Sequence, residues 1–357
     1  MDILVLDDGY KGNFNQSYGI ATSFASSHIQ ILRVSLKGPS YRLFRRKGFY
    51  PLYSKVLAII CSIKTWSLGK RLLKIFWGGT VKIPEKTIDI VISAGATLAP
   101  VNLILAKNIK NAKSVNIMVP SLLPLKSFDF LVVPYHDYLR MKKKKLKNLI
   151  VTLGAPNCLT DDFLKQEKER LSKVLRIDGS KRTLGVLIGG DDQNYTVSLN
   201  FIQKLIGFLF NEKQQYNFIF TTSRRTSLSV VKYLQEYIKK QPSVIYSEFP
   251  DYSEVSFYPG ILSLCDFILV TEDSINMISE AASIGVPVVV LGVERKNRKK
   301  LIFDFTIAKL VEKGYAEYIT EEELNTLHAT ISLANNRVYR KLRESEKCAQ
   351  EISKNLM

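Results

Sequence analysis

Phe267-Ile268-Leu269-Val270-Thr271-Glu272-Asp273-Ser274-Ile275-Asn276-Met277-Ile278-Ser279-Glu280-Ala281, continuing through Gly285-Val286-Pro287-Val288-Val289-Val290-Leu291, decides the fold. An apolar run of strand length ends in a polar turn, a segment of helical period covers Ile275–Ser283, and a second apolar run follows at Val286–Leu291. Two buried strands joined by one helix form a parallel crossover unit. The same alternation extends upstream, with strands predicted at Leu184–Ile188, Asn217–Thr221 and Ser243–Tyr246 and helices at Val197–Asn211, Leu228–Lys239 and Tyr258–Leu264. It recurs in the first half, with strands at Ile3–Leu6, Ile29–Leu36, Ile88–Ser93, Ser114–Val119 and Phe128–Val133, a helix beginning near Asn15 and another over Leu98–Lys107. The class is therefore α/β, with two Rossmann-like domains expected to face a central cleft.

Turn formers at Gly154-Ala155-Pro156-Asn157 and at Asp178-Gly179-Ser180 punctuate the seam, and between them Asp161–Leu175 reads as a helix capped by Thr160 or Asp161. The expected division is a first domain over 1–155, a second over 156–335, and a charged amphipathic helix over Asn336–Asn355 returning across the seam. Length and composition agree with two domains, since 357 residues are 46% apolar and 24% charged. Cys61, Cys158, Cys265 and Cys348 lie far apart without a CxxC pair, which argues against a disulfide framework or a zinc ribbon. The opening Met1-Asp2-Ile3-Leu4-Val5-Leu6-Asp7-Asp8 is unlike a signal peptide, and the apolar stretch from Val56 to Ile63 is too short to span a bilayer. A cytoplasmic chain is expected.

Ligands of open α/β sheets sit at the carboxyl ends of the strands, so the residues just after each strand carry the candidate chemistry. Thr271, Asp273, Ser274, Met277 and Glu280 lie on one such turn and helix. The helix start offers free amides to a phosphate, Ser274 adds a hydroxyl, and Glu280, under two turns on, is placed to accept from ribose hydroxyls. The competing reading makes Asp273 an N-cap and Glu280 an ordinary helix residue. Gly189-Gly190-Asp191-Asp192-Gln193 follows another strand; the glycines admit close approach of backbone, to a ligand or simply within a tight turn, and no Gly-Lys-Ser/Thr follows. Ser223-Arg224-Arg225-Thr226 brings two guanidinium groups and hydroxyls suited to a diphosphate, or a solvated loop.

In the first half, Asp8 with Gly9, Gly12, Asn15 and Gln16 forms a strand-loop-helix start in which Asp8 could remove a proton from an incoming hydroxyl. Ser93 and Gly95, and then His136, also follow strands; His136 is a base, an orienter or a structural histidine. No GxSxG elbow, HExxH motif or metal-spaced carboxylate cluster is present, so hydrolase chemistry has little support and no metal ligands are assigned.

These pieces, Asp8-Gly9-x-x-Gly12-Asn13-x-Asn15-Gln16-x-x-Gly19, Ser93-Ala94-Gly95, Phe128-Asp129-x-x-Val132-x-Pro134-x-His136-Asp137, Gly189-Gly190, Ser223-Arg224-Arg225-Thr226 and Thr271-x-Asp273-Ser274-x-x-Met277-x-Ser279-Glu280, run in order. Together they resemble the elongated-mitochondria (mitochondrial fission protein) family, whose bacterial members are similar to glycosyltransferases of the two-Rossmann GT-B type. The resemblance implies a nucleotide-sugar donor, a UDP-sugar being favoured, bound mainly by the second domain with Glu280 on the ribose and the Ser274 helix start near the diphosphate. It implies an inverting transfer with Asp8 as first choice of base and His136 as second, and no tightly bound cofactor. Arg224 and Arg225 could neutralise the leaving diphosphate without a divalent metal. The acidic pair Asp191-Asp192 departs from this picture, because like charge repels a diphosphate.

Charge is unevenly spread. Residues 1–150 hold 24 basic and 7 acidic side chains, whereas the remainder is nearly balanced within a total of +18. No acidic residue occurs between Asp8 and Glu85, and Arg42, Arg45, Arg46, Lys47, Trp66, Lys70, Arg71 and Trp77 mix cations with aromatics there. That composition suits a surface lying on anionic lipid. A peripheral enzyme on the inner face of the cytoplasmic membrane is expected, taking a lipid-linked or lipopolysaccharide-type envelope acceptor. Nucleic acid is the rival anion, but no helix-turn-helix, ribonucleoprotein signature or zinc finger supplies a reading element. A nucleotide-sugar epimerase of the same architecture and a non-catalytic membrane adaptor are the alternatives.

Overall fold

The computed structural model describes residues 1–34, 87–120, 123–141, 146–211, 216–250, 257–296, 301–335, 337 and 339–356. The candidates for membrane contact, Arg42, Arg45, Arg46, Lys47, Trp66, Lys70, Arg71 and Trp77, lie outside them. The chain forms two compact units, one of Met1–Cys158 with Arg343–Met357 and the other of Leu159–Leu342.

Unit 1 holds β1 (Asp2–Asp7), α1 (Lys11–Thr22), β2 (His28–Arg33), β3 (Ile90–Ala94), α2 (Ala99–Asn108), β4 (Lys113–Ile117), β5 (Phe130–Pro134), α3 (Tyr135–Arg140) and β6 (Leu149–Thr152). The strands form one parallel sheet in the order β2-β1-β3-β4-β5-β6. Alternation along β1 dictates the layers: Ile3 and Val5 join Ile20 and Ala21 of α1, while Leu4 and Leu6 join Val101 and Leu105 of α2 on the opposite face. The first helix starts at Lys11 and not near Asn15, because Asp8 accepts from the Tyr10 amide at 3.1 Å and closes the turn early. The four-residue strand β6, absent from the sequence reading, is the sheet's edge.

Unit 2 holds α4 (Asp161–Val174), β7 (Arg182–Ile188), β8 (Tyr195–Thr196), α5 (Leu199–Asn211), β9 (Tyr216–Thr222), α6 (Leu228–Ile238), β10 (Val244–Glu248), β11 (Phe267–Thr271), α7 (Ile275–Ile284), β12 (Val288–Leu291), β13 (Glu294–Arg295), α8 (Ile302–Glu312), β14 (Glu317–Ile319) and α9 (Leu327–Asn335). Its parallel sheet runs β10-β9-β7-β11-β12-β14. Both sheets are therefore parallel and flanked by helices, as the apolar runs predict, and the molecule has two Rossmann-like domains. Strand β12 begins at Val288, two residues later than expected, since Pro287 has no amide to give to the ladder. The expected helix Tyr258–Leu264 is a 3₁₀ turn over Gly260–Leu264, because Pro259 disfavours helix at the residue before it. Thr160 caps α4 by accepting from the Phe163 amide.

The expectation of one helix over Asn336–Asn355 is corrected. Helix α9 ends at Asn335, and α10 (Glu344–Lys354) begins after an extended approach. The break is made by pairing to α7: the Leu342 amide donates to Ala282 at 2.9 Å, and Ser283 donates to the Leu342 carbonyl. Helix α10 then docks on unit 1, where Glu344 accepts from the Leu153 amide at 3.0 Å and Ser345 exchanges hydrogen bonds with the Asn157 backbone. Cys348, Ala349 and Ile352 complete the core over β1, β3 and β4. Ile352→Ala is expected to destabilise unit 1 by about 2–5 kcal/mol, the usual cost of a cavity in a closed core, read from urea unfolding.

Candidate functional site

In unit 2 the direction of strand addition reverses between β7 and β11, so a switch point lies between them at the carboxyl edge. Gly189-Gly190, Thr271-Glu272-Asp273 and, beyond neighbouring β9, Ser223–Thr226 all lie there. One carboxylate binds the three together. The Asp273 side chain is fully buried and accepts from the Gly190 amide at 2.8 Å, the Thr271 hydroxyl at 2.7 Å and the Arg225 guanidinium at 2.9 Å. Burial pushes its carboxyl above the ordinary range, and these three partners oppose the shift.

The close approach that the glycines permit is made by the protein itself. A Cβ at Gly190 would lie 2.1 Å from the Arg225 backbone, and one at Gly189 equally close to the Asp273 carboxylate. Thr226 donates to the Gly189 carbonyl and Arg225 to that of Gly190, while the Gly189 amide donates to Thr271. Arg225 is thus committed to Asp273, and Arg224 is exposed on the same loop. Asp191 and Asp192 turn back on their own loop, accepting from the amides of Val197 and of Asn194 and Tyr195, with Arg225 3.7 Å from Asp192. The acidic pair is therefore held by local amides. Gln193 is exposed at the tip of that loop.

Because Asp273 is engaged backwards, it does not cap α7. Ser274 is the N-cap residue, makes no side-chain capping bond, and no acidic residue occupies the first turn. With no acidic residue in its first turn and no side-chain cap among the described residues, the positive end of α7 is an arrangement that favours an anion. On the same helix Met277 packs into the core and Glu280 is buried. The Tyr258 hydroxyl donates to Glu280 Oε2, and burial raises the Glu280 carboxyl to about 7 against the lowering effect of that bond.

In unit 1 the corresponding switch lies between β1 and β3. Asp8 leaves β1 and accepts from Asn13 Nδ2 at 3.0 Å; Asn13 in turn sits against Gly95, whose Cβ position is 3.1 Å from the same nitrogen. Burial raises the Asp8 carboxyl, with Asn13 and the Tyr10 amide opposing. Gly9 and Gly95 both adopt positive φ, Gly12 is exposed, Asn15 is half-buried, and Gln16 is buried with its Oε1 lacking a hydrogen-bond partner. Ser93 serves the interior: its hydroxyl donates to Asn116 at 2.8 Å and accepts from Asn102 at 2.9 Å. His136 lies in the first turn of α3 after β5, with Nε2 3.8 Å from Asp137, and burial lowers its pKa below the ordinary histidine value against the raising effect of Asp137. Strand β5 is three places from β1, about 14 Å at the usual strand spacing, so Asp8 and His136 do not form a hydrogen-bonded pair.

Three contributors escaped the sequence reading. Tyr258 carries no motif signal, Asn13 stands in the Asp8–Gly19 motif with no role assigned to it, and Glu272 gains its partners from distant segments, accepting from Arg295, which also donates to Asp304, and from the Val293 amide and the Tyr318 hydroxyl. Glu272, Arg295 and Asp304, with Ile307, Val311 and Tyr318, line a cavity of about 910 Å³ that includes none of Gly189, Gly190, Ser274 or Glu280. Among the described residues no cluster of His, Cys, Asp and Glu is grouped to hold a metal ion.

Against known families, the profile of mitochondrial fission ELM1 matches residues 11–356. The chain belongs to the mitochondrial fission ELM1 family. The uncharacterized protein RP120 of Rickettsia prowazekii is 26% identical to this family member, covering 99% of the chain and 98% of that protein. Among solved structures, the UDP-GlcNAc 2-epimerase of Methanocaldococcus jannaschii is similar with a TM-score of 0.57 at 14% identity, over 99% of this chain and 100% of that one. The glycotransferase of kitacinnamycin is similar with a TM-score of 0.51 at 13% identity, over 100% and 99%. Both likenesses establish the two-domain fold.

The Glu280 carboxyl binds its proton more tightly in the folded chain, near 7, than at its ordinary 4.5 in the unfolded one. Stability contributed by this group is therefore full below pH 4.5 and falls as pH rises towards 7. Glu280→Gln, which carries no titrating proton, is expected to abolish that slope and to be more stable than the parent by roughly 3 kcal/mol at pH 8, measured by urea unfolding at pH 4.5 and pH 8.

Proposed function

We propose that the protein is an inverting glycosyltransferase that moves a sugar from a nucleotide-sugar donor, a UDP-sugar first among them, to a membrane-associated envelope glycan or glycolipid. The observation that carries this reading is the uncapped N-terminus of α7 with Glu280 on the same helix, a phosphate receptor and a ribose acceptor in one element. The two units divide the labour. Unit 2 binds the nucleotide, with the α7 amides and Arg224 meeting the diphosphate and Glu280 the ribose. Unit 1 supplies Asp8, whose raised carboxyl is a stronger base than an exposed aspartate. In the transfer, Asp8 takes the proton of the acceptor hydroxyl as its oxygen bonds to the anomeric carbon. The bond from that carbon to the phosphate oxygen breaks, and the nucleoside diphosphate leaves with the electron pair. One displacement inverts the configuration.

A second reading, a nucleotide-sugar epimerase, is favoured by the full-length likeness to an enzyme named for UDP-GlcNAc epimerisation. Isomerisation of the sugar without an acceptor supports it over transfer. An adaptor without catalysis predicts no nucleotide binding at all.

UDP at a hundred times its Kd is expected to raise the stability of the full chain by about 2.7 kcal/mol, seen as a higher Tm. Asp8→Asn should lower kcat by about 100-fold or more with donor KM little changed, whereas equal loss in both parameters would remove Asp8 from the base role. For the membrane reading, Arg45, Arg46 and Lys47 are each worth about 1 kcal/mol on an anionic surface. Their triple replacement by Ala should weaken co-sedimentation with phosphatidylglycerol liposomes by about 100-fold and leave nucleotide binding unchanged.

A further inference from the structure

Tyr258 enters the site from a segment anchored by another carboxylate. Glu248, the last residue of β10, is 4% exposed, and its Oε2 accepts from the Phe257 amide at 3.1 Å, the Tyr258 amide at 3.2 Å and the Tyr246 hydroxyl at 2.8 Å. The Tyr246 and Phe257 rings stack with centroids 5.3 Å apart, and the Arg170 guanidinium lies over Phe257. The backbone of Tyr258 is thus tied at a fixed place on the carboxyl edge of β10, and its side chain reaches Glu280 Oε2 on α7. Glu280 Oε1 accepts from no side chain among the described residues.

We infer that Tyr258 is a positioning residue: it holds Glu280 by Oε2, so that Oε1 is the atom offered to the ribose hydroxyls of the nucleotide. The inference rests on the nucleotide-binding reading of unit 2. A carboxylate buried without donors takes a proton, and a protonated Glu280 no longer accepts two hydroxyl hydrogens in the way an anion does. The surroundings leave this duty to Tyr258. Helix α7 packs against β11, β12 and the Gly260–Leu264 turn, and none of these carries an ionisable side chain. Lys341 lies beside Gly285, at the far end of α7, and pairs there with Asp161. Tyr258 is the one side chain that draws the Glu280 carboxyl downward among the described residues. Loss of its hydroxyl therefore moves ionisation of Glu280 to higher pH, and nucleotide binding moves with it.

The test uses the full chain labelled with ¹³Cδ-glutamate, in which the carboxyl resonance absent from Glu280→Gln identifies Glu280, together with UDP calorimetry from pH 5.5 to 9. In the parent protein the Glu280 resonance is expected to titrate near pH 7, with UDP affinity rising through the same midpoint. In Tyr258→Phe both midpoints are expected to move up by about one pH unit, with UDP affinity reduced about fivefold at pH 7 and restored at pH 9. A merely structural tyrosine gives a uniform loss of affinity at every pH with an unmoved resonance, and that result overturns the inference while sparing the nucleotide reading. A resonance that moves while UDP binding stays flat with pH overturns the positioning role. Absence of UDP binding by the parent at every pH overturns the UDP-site reading on which the inference rests. Thermal unfolding at pH 5.5, where Glu280 is protonated with or without Tyr258, checks that Tyr258→Phe is folded.

Discussion

The buried carboxylate of Asp273 is the constraint around which unit 2 is arranged. A carboxylate with a fully buried side chain is tolerated only when donors surround it, and here they come from loops that follow three different strands: Gly190 after β7, Arg225 after β9 and Thr271 at the end of β11. Each contact fixes something else. The glycines are required because the loops approach to within the space of a methyl group. Arg225 is engaged by Asp273, and Asp191 and Asp192 accept from amides of their own loop, which closes on itself. Most consequential is what Asp273 leaves undone. A carboxylate at the head of a helix can offset the charge of its first amides; Asp273, one position before the N-cap Ser274, is instead bound to Arg225, Gly190 and Thr271, and Ser274 makes no capping bond.

Unit 1 also has a parallel sheet with a switch point, and its arrangement there is lighter. Asp8, Asn13 and Gly95 meet at its switch point, joined by one hydrogen bond and a close contact. Asp8 is only partly withdrawn from water, whereas Asp273 is sealed. That contrast fits a division in which one carboxylate is structural and the other is free to gain and lose a proton. Ser93, a neighbour in sequence to Gly95, belongs with the first kind, since Asn102 and Asn116 absorb its hydroxyl inside the sheet.

The parallel sheets were legible because their central strands are buried on both faces and read as unbroken apolar runs, as at Leu184–Ile188, Phe267–Val270 and Val286–Leu291. Strands β6 and β14, four and three residues long, are only half-buried at the edges of their sheets and lack that signature. The C-terminal helix was misjudged because helical period extends through Leu342, where a tertiary hydrogen bond to Ala282 outweighs local preference. At the site, positions after strands were readable from topology alone. Partners were not: nothing local in Tyr258 announces Glu280, 22 residues away, and nothing in Glu272 announces Arg295. The two arginines at 224 and 225 look equivalent in sequence, and only the position of Asp273 separates them.

Burial acts on Asp8 and Glu280 in the same direction and with opposite chemical value. Raising the Asp8 carboxyl strengthens it as a base, so long as it stays ionised at working pH; the Asn13 amide and the Tyr10 N–H limit the rise. Raising the Glu280 carboxyl keeps it protonated to higher pH, so in the proposed nucleotide site, where it would accept hydroxyl hydrogens as an anion, the same shift works against it. A mobile, solvated position would solve the second problem at the cost of geometry. The structure instead keeps Glu280 buried on a rigid helix and sets a tyrosine hydroxyl on it, with the tyrosine backbone anchored to Glu248. Where a site needs both low dielectric and a charged carboxylate, a neutral donor held by its own scaffold is a less costly answer than a counter-ion, since an arginine in the same place would bring a second charge into the buried surroundings.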